Sequence, residues 1–340
     1  MQVRQNETKA EDYDFVPAGA ATHLVPVVGK PKDYLFVLTP HLTMLALSAA
    51  IEPLRIANQL AGQMVYRWHT AGHKSQPLTC SNGMRIVPDM DLPKKLHNTY
   101  AFVCAGVEPE KNFCISTLKW LRQQERFGAK FGAICTGAHY LARAGLLNRR
   151  KFTLHWENQA GFVERYPSLK PTNRLFEVDG QVLTCGGGAA TTDMMLSIIQ
   201  DEHGSGFSNA VADMCLHNRR ETQDSSQKSA IAALIGSRNP KLLQAIELMH
   251  ENIEEPLALS VLASRVNSSR RQLERLFKKF NGTTPSKMYR EIRLDHAHAL
   301  LRETNLAVWE IAAATGFGSQ NFSLHFREKF GVSPRNYKAS

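Results

Sequence analysis

The last hundred residues of this chain repeat themselves. Leu262 and Ile311, Ala263 and Ala312, Leu273 and Phe322, Phe277 and Phe326, Gly282 and Gly331, and Pro285 and Pro334 pair at one constant offset of 49 residues (263 to 312, for example). A fixed self-similarity of this kind means one structural unit present twice. In each copy the apolar pattern predicts a short helix (260–265 and 309–314), a polar or glycine turn (Asn267-Ser268 and Gly316), and a second helix (269–280 and 319–330). That is helix-turn-helix spacing. Ala263 and Ala312 are small enough to let the two helices cross closely, and Leu273, Leu276, Phe277 and Phe280 recur at helical period as a buried stripe. The copies are joined by a strong helix with Thr284 as N-cap, Pro285 at its first position, and apolar Met288, Tyr289, Ile292, Ala297 and Leu300.

Outside the stripe, the first recognition helix presents Arg270, Arg271, Glu274, Arg275 and Lys278. Such a set has the reach to enter a major groove and to touch the flanking phosphates. Charge agrees with that use. Residues 238–340 hold 16 Lys and Arg against 10 Asp and Glu, so they carry +6 of the chain's net +10 in under a third of its length. A polyanionic backbone is the natural partner of such an asymmetry.

Upstream the pattern changes. Short β-rich runs alternate with helical patterns (34–39 then 44–60, 100–105 then 113–124, 130–134 then 137–147), which predicts a parallel α/β sheet with helices on both faces. Runs 175–178 and 181–184, separated by Asp179-Gly180, predict a hairpin, and a helix over 191–202 follows Gly186-Gly187-Gly188. The domain organisation expected is a mobile tail over 1–30, an α/β domain over 31–218, a polar linker over 219–239 with one short helix at 230–235, and an all-α domain over 240–340. The six cysteines have no metal-ligand spacing and no export signal precedes them, so reduced thiols, no metal and no cofactor are expected. The longest apolar run, 36–51, is interrupted by Pro40, His41 and Thr43, too early for a membrane span.

The segments LASRVNSSRRQLERLFKKFNGTTPSKMYREIRLDHAHALL and EIAAATGFGSQNFSLHFREKFGVSPRNY resemble the AraC-type DNA-binding domain over about residues 240–338. The resemblance implies that Arg270, Arg271, Glu274 and Arg275 face the groove in the first unit, and Gln320 and Asn321 in the second. The second unit departs from the pattern. Only two residues separate Ser319 from Phe322, where three are usual, and Leu324 stands where Arg is common, so weaker base contact is expected there.

In the front domain, Ala133-Ile134-Cys135-Thr136-Gly137-Ala138 lies between a strand and a helix, the setting of a tight elbow. A thiol there meets a helix N-terminus, whose dipole favours the thiolate. With Ile51-Glu52-Pro53 and Thr153-Leu154-His155-Trp156, the stretch 32–218 resembles the flavodoxin-like PfpI domain, of the class I glutamine amidotransferase type, that precedes the DNA-binding domain in GlxA-type AraC regulators. In that fold the equivalent of Cys135 is a nucleophile with a glutamate nearby, a place Glu52 would take. Thr136 stands where hydrolases of this type carry an activating histidine, and His139, one turn further, is expected to point elsewhere.

The resemblance therefore implies a disused active site serving as an effector pocket, with Glu52, Cys135, Thr136, His155 and Trp156 as its residues. Segments IEPLRIANQLAG, YRWH and HWEN are most similar to sensors of glycine betaine, carnitine and related amines or amino acids. Trp68, Trp156, Glu52 and Glu157 could receive a methylated ammonium. The expectation is a cytoplasmic homodimeric regulator, an activator acting on promoter DNA and RNA polymerase, with no catalytic residue. The alternative is a cysteine hydrolase or amidotransferase-like enzyme fused to a DNA-binding domain, built on Cys135, Glu52 and His155.

Overall fold

A computed structural model describes residues 15–17, 29–72, 77–217, 227 and 239–339. The front domain contains strands β1 (Lys32–Leu38), β2 (Tyr66–Gly72), β3 (Leu78–Thr79), β4 (Arg85–Ile86), β5 (Met90–Asp91), β6 (Thr99–Cys104), β7 (Lys130–Ile134), β8 (Phe176–Asp179) and β9 (Val182–Cys185). Seven of them form one sheet in the order β5-β2-β1-β6-β7-β9-β8, and all its pairs are parallel except β8 with β9. The expected hairpin at Asp179-Gly180 is that antiparallel pair, with Gly180 in the left-handed region at φ +61.

Helices α1 (Met44–Ala61), α2 (Ile115–Arg126), α3 (Ala138–Ala144), α4 (Gln159–Arg165), α5 (Ala190–His203) and α6 (Ser205–Met214) cover both faces of the sheet. The period of two along β1 splits its side chains between two cores. Tyr34, Phe36 and Leu38 join one with Ala50, Leu54, Met195 and Val211 from α1, α5 and α6, while Leu35 and Val37 join the other with Leu121 and Leu141 from α2 and α3.

The chain moves from β1 to β2 on one side and later to β6 on the other, so the direction of winding reverses between β1 and β6. A crevice therefore opens at the carboxyl ends of these strands, the place where sheets of this kind bind ligands.

The tail expected to be mobile is anchored at one described point. The Phe15 ring packs edge-on against Trp68 at 4.9 Å, and its carbonyl accepts from Asn58 Nδ2 at 2.8 Å. Trp68 is thus buried in the core. The helix expected at 230–235 lies outside the described residues.

The second domain contains α7 (Pro240–Glu251), α8 (Leu259–Arg265), α9 (Arg270–Asn281), α10 (Pro285–Glu303), α11 (Val308–Ala314), α12 (Ser319–Phe330) and α13 (Pro334–Ala339). Asn239 caps α7 and Thr284 caps α10, each followed by proline. Each repeat encloses its own core, and α10 serves both. Tyr289 and Ile292 pack with Leu262, Leu273 and Phe277, and one turn later Leu294, Ala297 and Leu300 pack with Ile311, Phe322 and Phe326. Leu276 and Phe280, expected in the stripe, are half-buried at its margin. Arg293 ties α10 to the turn of the second unit, donating to the carbonyls of Thr315 and Gly316 and lying 3.8 Å from the centre of the Phe317 ring.

Candidate functional site

Cys135 follows β7 directly and takes φ +60, rare for a residue with a side chain, before a 3-10 turn and α3. The elbow needs space opposite it. Gly187 supplies that space at φ +92, and a Cβ there would lie 2.8 Å from the Cβ of Cys135. The carbonyl of Cys135 accepts from His155 N at 3.3 Å, its Sγ lies 3.6 Å from Thr43 Oγ1, and Thr136 Oγ1 donates to Gly106 O at 2.6 Å. Loops after β1, β6, β7 and β9 are thereby drawn together around the thiol.

Thr43, Gly106, Cys135 and Thr136 border a cavity of about 400 Å³ that also takes in Glu110, His139, His155, Glu157 and Asn158. The thiolate expected at this position is disfavoured. Burial pushes the Cys135 thiol above its ordinary range, against smaller lowering contributions from Thr43 and the Thr136 backbone. Desolvation of the sulfur is the largest of these effects.

Of the expected pocket residues, Cys135, Thr136 and His155 line this cavity and two do not. Glu52 sits on α1 with its side chain 52% exposed, paired with Arg55 at 2.7 Å, and Trp156 is 55% exposed. Burial lowers the His155 ring below its usual range, and no hydrogen bond joins it to Cys135 among the described residues. Among the described residues His139 makes no hydrogen bond to Cys135 and turns instead to Glu110. It lines the cavity with Nδ1 at 3.0 Å from Glu110 Oε1 and a buried, unpartnered Nε2. Burial opposes ionisation of Glu110, but His139, Arg165 and Arg143 together hold its carboxyl below the usual range.

Two groups come from beyond the front domain. Gln227 sends its side chain under the loop 153–156, accepting from Trp156 N at 2.9 Å and donating to Thr153 Oγ1, Leu154 O and Arg174 O. From the end of α10, Arg302 and Glu303 form one wall of the cavity. Asn158 Nδ2 donates to Glu303 Oε1 at 2.6 Å, Arg165 donates to Glu303 O at 3.0 Å, and a Cβ on Gly161 would collide with the Glu303 carboxylate. Sequence reasoning missed both. Glu110 was within reach of the rule that ligands gather at strand carboxyl ends, since it follows β6 closely, but nothing local marks Glu303 as a neighbour of Cys135.

In the second domain, α9 starts from a capping box between Ser269 and Gln272. Arg270, Arg271 and Arg275 project from it exposed, and Glu274, partly exposed, accepts from Arg270 Nε at 3.0 Å. Gln320 and Asn321 are exposed in the first turn of α12, with Leu324 exposed one turn on.

Two family models match the chain, the DJ-1/PfpI family over residues 45–201 and a helix-turn-helix domain over residues 262–340. The chain is 39% identical to the HTH-type transcriptional regulator GbdR of Pseudomonas aeruginosa, covering 90% of this chain and 84% of that one. It is also 39% identical to CdhR of the same organism, over 91% and 92% of the two chains. Identity to GlxA of Rhizobium meliloti is 37%, over 88% and 93%. The chain belongs to the GlxA-type AraC-family regulators. It is a DNA-binding transcriptional regulator, and these relatives are regulators rather than enzymes. In this regulator the family's two parts therefore meet at the cavity, with the α/β domain contributing the Cys135 elbow and the helix-turn-helix domain contributing the end of α10.

Proposed function

We propose that this regulator responds to a small nitrogen-containing metabolite, such as a methylated amine, betaine, carnitine or amino acid, held in the cavity beside Cys135, Thr136 and His155. One observation carries the reading: the cavity at the carboxyl ends of the sheet is walled on one side by the helix that joins the two DNA-binding units. A ligand there has different contacts when that helix is present and when it has moved, which is what coupling between two sites requires.

On this reading Arg270, Arg271, Glu274 and Arg275 make the base and phosphate contacts of the first unit, and Gln320 and Asn321 those of the second. The regulator works in the cytoplasm as a homodimer on promoter DNA, activates transcription, and makes contact with RNA polymerase. A thermal-shift screen of the full chain against glycine betaine, carnitine, choline and amino acids tests the effector, since a ligand at 100 times its Kd stabilises by about 2.7 kcal/mol. Silence across the whole panel would sink this reading. For the DNA contacts, Arg271→Ala or Arg275→Ala is expected to cost about 1–3 kcal/mol at one half-site. A uniform loss on every duplex, varying only with salt, would mean that these residues touch phosphates and read no bases.

A further inference from the structure

The charged groups around the cavity are not all matched. Glu108 pairs with Lys111 at 3.1 Å, and Glu110 is held by His139 at 3.0 Å and Arg165 at 3.2 Å. Glu157, itself exposed, has a weaker partner in His155 at 3.9 Å, since burial disfavours the charged form of that ring. Arg302 and Glu303 differ. Among the described residues Arg302 has no carboxylate, and Glu303 no cation, within ion-pair distance. Glu303 is largely enclosed, with one oxygen bound by the neutral Asn158 amide and the carboxylate packed over Gly161. A carboxylate taken from water with a single amide donor lacks most of the compensation that such burial requires.

We propose that the DNA-binding domain itself reads the effector: Glu303 receives the cationic nitrogen of a zwitterionic ligand and Arg302 receives its carboxylate. This rests on the reading that a small nitrogen metabolite occupies the cavity, and it assigns both charge contacts to the last two residues of α10 rather than to Glu52 of the α/β domain. Burial pushing the Glu303 carboxyl up to about 7 is consistent with a group that still lacks its counter-charge. Both side chains line the same cavity, the exposed Arg302 and the half-buried Glu303, so the cavity offers one cationic and one anionic partner to a compact zwitterion. Both charges ride on the DNA-binding domain, so an occupied cavity stabilises the docked arrangement of that domain, and docking raises effector affinity by the same factor.

The test is calorimetric titration of the full-length protein with glycine betaine, carnitine, arginine and glycine. Whichever zwitterion binds is compared with charge-deleted probes, 3,3-dimethylbutyrate (carbon in place of the betaine nitrogen) and choline (no carboxylate). Glu303→Gln, which keeps an acceptor for Asn158, is expected to weaken the zwitterion about 10- to 100-fold and to leave 3,3-dimethylbutyrate unchanged. Arg302→Gln is expected to weaken the zwitterion and leave choline unchanged. Full affinity in Glu303→Gln overturns the proposal and leaves the effector reading intact. Should that variant not fold, the unmodified protein decides, because equal affinity for a betaine and its carbon isostere overturns the proposal as well. If no zwitterion binds the unmodified chain, the effector reading falls and this inference falls with it.

Discussion

Replacing Arg293 by methionine should loosen the second helix-turn-helix unit and spare the first. The guanidinium donates to Thr315 O at 2.7 Å and to Gly316 O at 2.5 Å, and it lies over the Phe317 ring. Hydrogen bonds from charged donors contribute about 1.5–3 kcal/mol each, and a partly desolvated cation over an aromatic ring about 0.5–2 kcal/mol. Burial lowers the Arg293 pKa, which means that desolvation takes back part of this gain. A net loss of about 2–4 kcal/mol in Arg293→Met is expected. Gly316 makes the junction sensitive, since it sits at φ +67 with Glu254 O 2.6 Å from where a Cβ would be, so the turn has one tight seat and Arg293 holds it there. Hydrogen exchange of the full chain resolves the effect. Protection over 308–317 should fall about 30- to 800-fold while 259–281 stays within about threefold of wild type. Arg293→Lys, with its charge but no planar fork, should lie between the two. A loss spread evenly over both units, or none over 308–317, would refute the view that Arg293 holds the second unit's turn against α10.

Other perturbations reach the cavity. Gly187→Ala places a Cβ against Cys135 at φ +92 and should destabilise the α/β domain by about 1–3 kcal/mol, read as a lower calorimetric transition, with a smaller effect in a Cys135→Gly background. Gln227→Leu removes the amide's contacts with Trp156 N, Thr153 Oγ1, Leu154 O and Arg174 O, and faster exchange should appear in the 153–156 loop before anywhere else in that domain. Docking of the two domains should weaken as pH rises from about 4.5 through 7. Burial raises the docked pKa of Glu303 to about 7 from an ordinary 4.5, so the docked form binds the extra proton and its advantage, at most about 3 kcal/mol, is gone once the group ionises. Limited proteolysis across this range should show the trend in wild type and a flat profile in Glu303→Gln.

The helical repeat, its caps and its core could be read from residue order because they depend on contacts within a few turns. Leu262 with Ile311 and Phe277 with Phe326 are buried as their periodicity requires, and Thr284-Pro285 opens the connecting helix. The parallel sheet was legible for the same reason, through alternation along β1 and the turn at Asp179-Gly180. The elbow at Cys135 was legible too, but its ionisation was not. Local reasoning sees the helix that follows the thiol and cannot see the burial that the assembled loops impose on the sulfur. Glu52 and Trp156 were placed in the pocket by motif, and chain geometry turns both outward to solvent. The charges that complete the cavity arrive from the far end of α10, a segment with no sequence proximity to any strand of the sheet. Sequence by itself determined the two kinds of domain, since hydrophobic period and capping act over short range. Which residues of one domain face the cavity of the other was decided only by tertiary packing, because that depends on how two finished surfaces fit.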